Sequence, residues 1–200
     1  MKIKKIVDMC RREGTVKIMI DENGVQWLSN SYACYPLYEV PELSKDEFFT
    51  VFDFSAKQRE DTVFARAEFP SSLSTKDFFP GELLCEKLSP NMPFGSKLLI
   101  PFKTTSGIKF LDSEYLAPLA DETEIEVYVR EPAKGEPYFA VKIGMCLRAI
   151  IMPFNAVNKS FVDNIAKIYS LCKDALFNKA AEEECQVGAF DVRMSERLGE

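Results

Sequence analysis

The 200-residue chain carries 25 Lys and Arg against 31 Asp and Glu, a formal net charge of −6, with 46% hydrophobic residues and no His. That apolar content can bury the core of one large domain or of two small packed ones, while the acidic balance excludes a globally basic nucleic-acid footprint, so any contact with DNA has to be local. Without His, a Cys-His dyad, a Ser-His-Asp triad and a His-ligated zinc site are impossible within the chain.

Ile3, Ile6, Val7 and Cys10 recur at i, i+3, i+4, i+7, which predicts a helix with one apolar stripe that Gly14 can close. Lys2, Lys4, Lys5, Arg11 and Arg12 fall on the opposite side of that wheel and make its outer face basic. Val16, Ile18 and Ile20 then alternate with polar neighbours, Asp21-Glu22-Asn23-Gly24 supplies a turn, and an extended pattern resumes over 25–28, so a hairpin is expected. Residues 32–38 continue with β-prone aromatics until Pro36 and a loop over 41–44 interrupt them. Two further strands are expected over 48–54 and 62–69, separated by the charged stretch 55–61.

From 70 to 96 the chain carries Pro70, Pro80, Pro90 and Pro93 with Gly81 and Gly95, the composition of a long connection that divides the chain into halves. A loop of that length is unusual in a compact domain, and Phe78, Phe79, Leu83 and Leu84 are the side chains expected to pack it down. Beyond it, 97–102 and 108–111 read as strands around the turn 104–107, and Asp112 or Ser113 can cap a short helix to about Ala120 that Pro118 makes irregular. Ile125, Val127 and Val129 alternate over 124–130, 132–135 forms a turn, and 138–143 and 146–152 complete two more strands. Residues 158–181 form the longest helical pattern, with Phe161, Ile165, Ile168, Cys172 and Leu176 in one stripe that needs an apolar surface to dock on. The polar tail 182–200 is expected to be mobile.

Cys10, Cys34, Cys85, Cys146, Cys172 and Cys185 are scattered without a Cys-x-x-Cys pair, so they read as small buried hydrophobes rather than as a zinc ribbon or dithiol site. The dispersed glycines form no phosphate-cradling loop. Asp112, Glu114, Asp121, Glu122 and Glu124 cluster around the short helix; such runs are usually a solvated face, and an oxygen-ligated divalent cation is the other chemistry they can support. Lys142 and Arg148 sit in apolar strand patterns, either as anion ligands or as side chains snorkelling from a sheet edge. Trp27, Phe48-Phe49 and Phe78-Phe79 are divided between core packing and a recognition surface, with Phe78, Phe79 and Phe190 the candidate partner contacts. Neither an uninterrupted apolar leader nor a membrane-length apolar run is present, so no membrane association is expected and the protein reads as cytoplasmic.

The segment 108–154, with Lys109-Phe110-Leu111-Asp112-Ser113-Glu114-Tyr115-Leu116, then Ile125-Glu126-Val127-Tyr128-Val129 and Ala149-Ile150-Ile151-Met152-Pro153, resembles a domain of the bacterial sliding clamps, the processivity factors of DNA polymerases. The chain also resembles small proteins of bacterial genomes and prophages. The clamp resemblance implies an α+β fold with a mainly antiparallel sheet built from two βαβββ halves, here about 1–69 and 97–157 joined by 70–96, with the helices facing DNA; the helix 158–181 is an addition to that pattern. Its acidic second helix departs from the basic surface such a role requires. The expectation is therefore a non-enzymatic binding or scaffold protein with no cofactor and no metal, contacting DNA through Lys2, Lys4, Lys5, Arg11 and Arg12 and linked to DNA metabolism. The alternative is a protein-protein adaptor, or a homo-oligomer, without nucleic-acid contact.

Overall fold

A computed structural model describes residues 1–155 and 157–177, in two units, Met1–Phe154 and Asn155–Glu200. The first unit is α+β. Helix α1 (Ile3–Glu13) forms on the predicted stripe, burying Ile6, Val7, Met9 and Cys10, and ends where Gly14 turns left-handed at φ 64° so that its N–H returns to the Arg11 and Cys10 carbonyls. The hairpin of β1 (Thr15–Ile20) and β2 (Gln26–Ser29) follows as expected and continues into β3 (Ala33–Leu37).

Residues 48–54 are not a strand. Two short helices, α2 (Lys45–Val51) and α3 (Ala56–Asp61), occupy the region, each opened by a capping box: Ser44 with Glu47, and Ser55 with Gln58. In the first, the Glu47 N–H donates to Ser44 Oγ at 3.3 Å while the Ser44 N–H donates to the Glu47 carboxylate at 2.8 Å. These local bonds override the strand preference of the aromatic run, and Phe48, Phe49, Phe54 and Phe64 gather into one ring cluster with centroids 4.7–6.3 Å apart. The next strand, β4 (Val63–Glu68), pairs parallel with β1.

The connection 70–96 also contains structure: β5 (Leu83–Leu84), β6 (Glu86–Lys87) and β7 (Met92–Phe94). Of the side chains expected to pack it down, Phe78, Leu83 and Leu84 are exposed and Phe79 is partly buried; Leu73 also packs, against the cluster around Trp27. Strands β8 (Lys97–Thr104) and β9 (Gly107–Asp112) pair as a hairpin, and β6 and β7 add to β8 in a small second sheet. Asp112 then caps a 3₁₀ helix, Ser113–Leu119, that encloses Pro118. Strands β10 (Ile125–Arg130), β11 (Tyr138–Ile143) and β12 (Cys146–Ile151) complete the large sheet.

That sheet has the order β4-β1-β2-β3-β12-β11-β10-β5, antiparallel except for β1 with β4. A helix followed by three antiparallel strands therefore occurs on each side of the central β3–β12 pairing, in mirrored order. The strand before the second helix, β9, lies in the small sheet, and no strand precedes α1 among the described residues. α1 and the 3₁₀ helix lie on one face, joined by a 2.8 Å bond from Lys2 N–H to the Pro118 carbonyl, and both bury side chains in the main core. On the other face Met19, Trp27, Cys34, Tyr138, Leu147 and Ile150 form a second cluster beneath the segment after β4.

In the second unit residues 159–177 are helical. The Asn158 side chain caps this helix by accepting the Phe161 N–H at 2.9 Å. Of the apolar stripe, Ile165, Ile168, Cys172 and Leu176 are exposed in the chain by itself and Phe161 is partly buried. Residues 178–181 of the expected helix and the tail 182–200 lie outside the described residues. No helix among the described residues is long and apolar enough to cross a membrane.

Candidate functional site

Two basic residues at α1, Lys2 and Arg12, pair with the acidic cluster while their side chains stay about half exposed. Lys2 pairs with Asp121 at 2.8 Å, Arg12 with Glu114 at 2.5 Å, and the Met1 ammonium with Glu122 at 2.9 Å. Arg11 is drawn inward, to Asp8 at 2.8 Å and to the Phe52 carbonyl at 2.6 Å, with its guanidinium 4.6 Å from the Phe54 ring centre. Lys4 and Lys5 are exposed, and no carboxylate among the described residues pairs with them. Exposed ion pairs contribute only about 0–1 kcal/mol each; what matters here is that they cancel charge across the helix face. The fourth acidic residue, Asp112, is buried, bonding Lys97 Nζ at 2.7 Å and the Glu114 N–H at 3.1 Å. Among the described residues no three carboxylate or thiol groups converge to hold a metal ion.

A different concentration of charge lies on the opposite face of the sheet. Alternation along β10 sends Val127 and Val129 into the main core and leaves Glu126, Tyr128 and Arg130 on the outer face, opposite Lys142, Ala140 and Tyr138 of β11 in register. Arg130 is a wholly buried cation. Its Nε donates to Glu82 at 2.7 Å, Nη1 to the Ser74 carbonyl at 2.9 Å, and Nη2 to the carbonyls of Lys76 and Asp77 at 2.9 and 3.2 Å. Lys142 bonds the other oxygen of Glu82, and its ammonium lies 4.5 Å from the Tyr128 ring centre. Burial raises the Glu82 carboxyl, but the hydrogen bonds from Lys142 and Arg130 outweigh it and hold its pKa below the ordinary 4.5. One carboxylate thus bridges two buried cations, one oxygen to each, and the backbone from Ser74 to Asp77 is pinned over the sheet.

Beside this triad opens a cleft of about 800 Å³, lined by Asp77, Phe78, Glu124, Ile125, Glu126, Tyr128, Lys142, Gly144 and Met145. Phe78 is 73% exposed and Met145 87%, an aromatic ring and a flexible thioether facing water on its rim. The cleft exists because β5 covers β10 only at Tyr128 and Val129 before the chain departs to the small sheet.

Of the residues singled out from sequence, Phe78 therefore lines the cleft, whereas Phe79 is partly buried beneath Arg130, whose guanidinium lies 5.4 Å from its ring centre; Phe190 lies outside the described residues. Trp27 and Phe48-Phe49 are core side chains. Arg148 is the extra residue of a bulge opposite Val141 and Lys142, with its guanidinium 5.7 Å from the Tyr38 ring centre. Cys10, Cys34 and Cys85 are buried, and burial pushes the first two thiols up to about 12 and the third to about 11, so they are protonated at neutral pH. Cys146 and Cys172 are exposed, contrary to the expectation of burial, and Cys185 lies outside the described residues.

No family model, no curated protein and no solved structure matches this chain. The functional reading rests on its own geometry.

Proposed function

We propose that the chain is a non-enzymatic binding or scaffold protein that contacts a protein partner through the cleft at the end of the large sheet. The observation that carries this reading is the pairing of α1 with the acidic residues after β9. With Lys2, Arg11 and Arg12 held by Asp121, Asp8 and Glu114, the helix face offers phosphates little free positive charge, while the cleft presents exposed Phe78 and Met145. A second reading, a DNA-clamp-like domain linked to DNA metabolism, draws support from the mirrored helix-strand-strand-strand order and from the unpaired Lys4 and Lys5.

Anisotropy of a labelled DNA duplex at low salt separates the two. The protein-binding reading expects no retention. Retention that falls steeply with salt, at about −0.9 in log-log slope for each neutralised phosphate, and that disappears in the Lys4→Glu, Lys5→Glu double variant, would establish the DNA reading instead.

A further inference from the structure

We propose that the cleft accepts an extended peptide segment that carries apolar and basic side chains on the same face; this rests on the protein-binding reading above and specifies its partner. The charge of the lining decides the class. Asp77, Glu124 and Glu126 carry no ion pair among the described residues, while the one cation of the lining, Lys142, is already bonded to Glu82. An anionic ligand would meet three carboxylates and no available cation. Asp77 accepts the Leu147 N–H at 2.7 Å and Glu126 the Tyr128 hydroxyl at 3.1 Å, but neither bond supplies a positive charge, so a wholly apolar ligand would strip water from three uncompensated carboxylates at the cost that unpaired buried charges incur. The carboxylates do not converge tightly enough for a metal ion. A Lys or Arg side chain satisfies them, and the neighbouring apolar side chains of the same segment find Phe78, Ile125 and Met145, of which Met can adapt its shape to what it meets.

Geometry favours an extended segment. Glu126 and Tyr128 stand two residues apart on the outer face of β10, and side chains of an extended peptide repeat at the same period of two. Beyond the two residues that β5 covers, the β10 margin at Ile125 and Glu126 borders the cleft directly. Glu126 and the Tyr128 ring, neighbours on that face, are matched by a basic and an apolar side chain at positions i and i+2 of the segment, on the face it turns to the cleft.

The test uses the full chain, labelled with ¹⁵N, and three fluorescein-labelled peptides: repeats of Ser-Leu-Ser-Lys, which put Leu and Lys on one face of an extended chain, the same with Glu in place of Lys, and the same with Ser in place of Leu. The Leu/Lys peptide is expected to bind at low salt and to shift the amide resonances of Phe78, Glu124, Tyr128 and Met145. The Leu/Glu peptide should not bind, and the Ser/Lys peptide should bind at least about tenfold more weakly. Phe78→Ser and Glu124→Lys, both at exposed side chains and so without effect on melting, should each weaken the Leu/Lys peptide by about tenfold or more. Binding of the Leu/Glu peptide in the cleft would overturn the cationic class while leaving a protein-binding cleft in place. If no peptide shifts the cleft residues, or if both variants bind as the parent does, the cleft is not a site for an extended basic segment; the protein-binding reading itself falls only if the DNA titration also shows salt-dependent retention that the Lys4→Glu, Lys5→Glu variant loses.

Discussion

Replacing Glu82 by Gln tests whether one carboxylate holds the outer face of the sheet together. The substitution keeps the side chain's shape and leaves two cations without an anion, at Arg130, whose side chain is 0% exposed, and Lys142, at 8%. Removing one partner of a buried ion pair costs about 3–5 kcal/mol. Lys142 borders the open cleft and can turn to water, so the lower end applies; Arg130 cannot, being enclosed by the carbonyls of Ser74, Lys76 and Asp77. For a domain of this size 1 kcal/mol moves the melting temperature by about 2–4 °C, so E82Q should melt about 6–12 °C lower.

The pH dependence follows from the direction of the Glu82 shift. Its folded pKa lies below the ordinary 4.5, so its contribution is present above that value and is lost as pH falls through the lower, folded value. E82Q should therefore flatten the acid limb of stability against pH. Adding Lys142→Met to E82Q removes one uncompensated charge and should recover part of the loss, a coupling that a double-mutant cycle measures directly. An E82Q protein melting within about 2 °C of the parent, or a double variant no more stable than the single one, would refute the triad as the clasp.

Asp112→Asn keeps the cap of the 3₁₀ helix but removes the ion pair to Lys97, and thermal melts should show a loss of about 1.5–3 kcal/mol. The hydrogen bond that Lys97 Nζ donates to Asp112 raises the Lys97 pKa above its ordinary 10.5, so the parent should lose this contribution as pH climbs through that raised value, and D112N should lack that alkaline loss. Tyr35→Phe leaves the Tyr115 carbonyl, now bonded by the Tyr35 hydroxyl at 2.6 Å, without its buried donor, and denaturant titration should report a loss of about 1–3 kcal/mol. Alkylation under native conditions, followed by peptide mass analysis, should modify Cys146 and Cys172 at once and reach Cys10, Cys34 and Cys85 only on unfolding.

What the sequence made legible was whatever repeated with a period. The stripe of α1, the hairpin to Leu28, the strands from Lys97 onward and the capped segment at Asp112 each declare themselves by spacing, and all formed where expected. The misses lie where local chemistry outweighed composition. Phe48 and Phe49 look β-prone, but Ser44-x-x-Glu47 is a capping-box pattern that the sequence displays openly, as does Ser55-x-x-Gln58. The triad was half visible: alternation puts Glu126 and Arg130 on one face of β10, and Lys142 interrupts an apolar strand. Glu82 carried no such signal, because it lies in an aperiodic loop and meets Arg130 across 48 residues of sequence. The ion pairs of α1 were equally hidden, since Arg12 and Glu114 are brought together only by the packing of two helices.

The same long-range closure explains why the cleft lies where it does. A sheet edge left open invites indiscriminate strand pairing, and proteins cover or charge such edges. Here β5 covers β10 for two residues, and the chain must then leave, because β6 belongs to the small sheet with β8. The remaining edge is therefore blunted by charge, through Glu124 and Glu126, and roofed by the loop that Arg130 holds down. Arg130 spends its donors on Glu82 and the carbonyls of Ser74, Lys76 and Asp77, and Lys142 bonds Glu82; their chemical consequence is to fix the roof and to leave Asp77, Glu124 and Glu126 without an ion pair at the opening. Stability and recognition are thus linked at one residue: loosening Glu82 should unfasten the 74–82 segment that carries Phe78, so a variant weakened in the clasp should also lose the rim that a partner would grip.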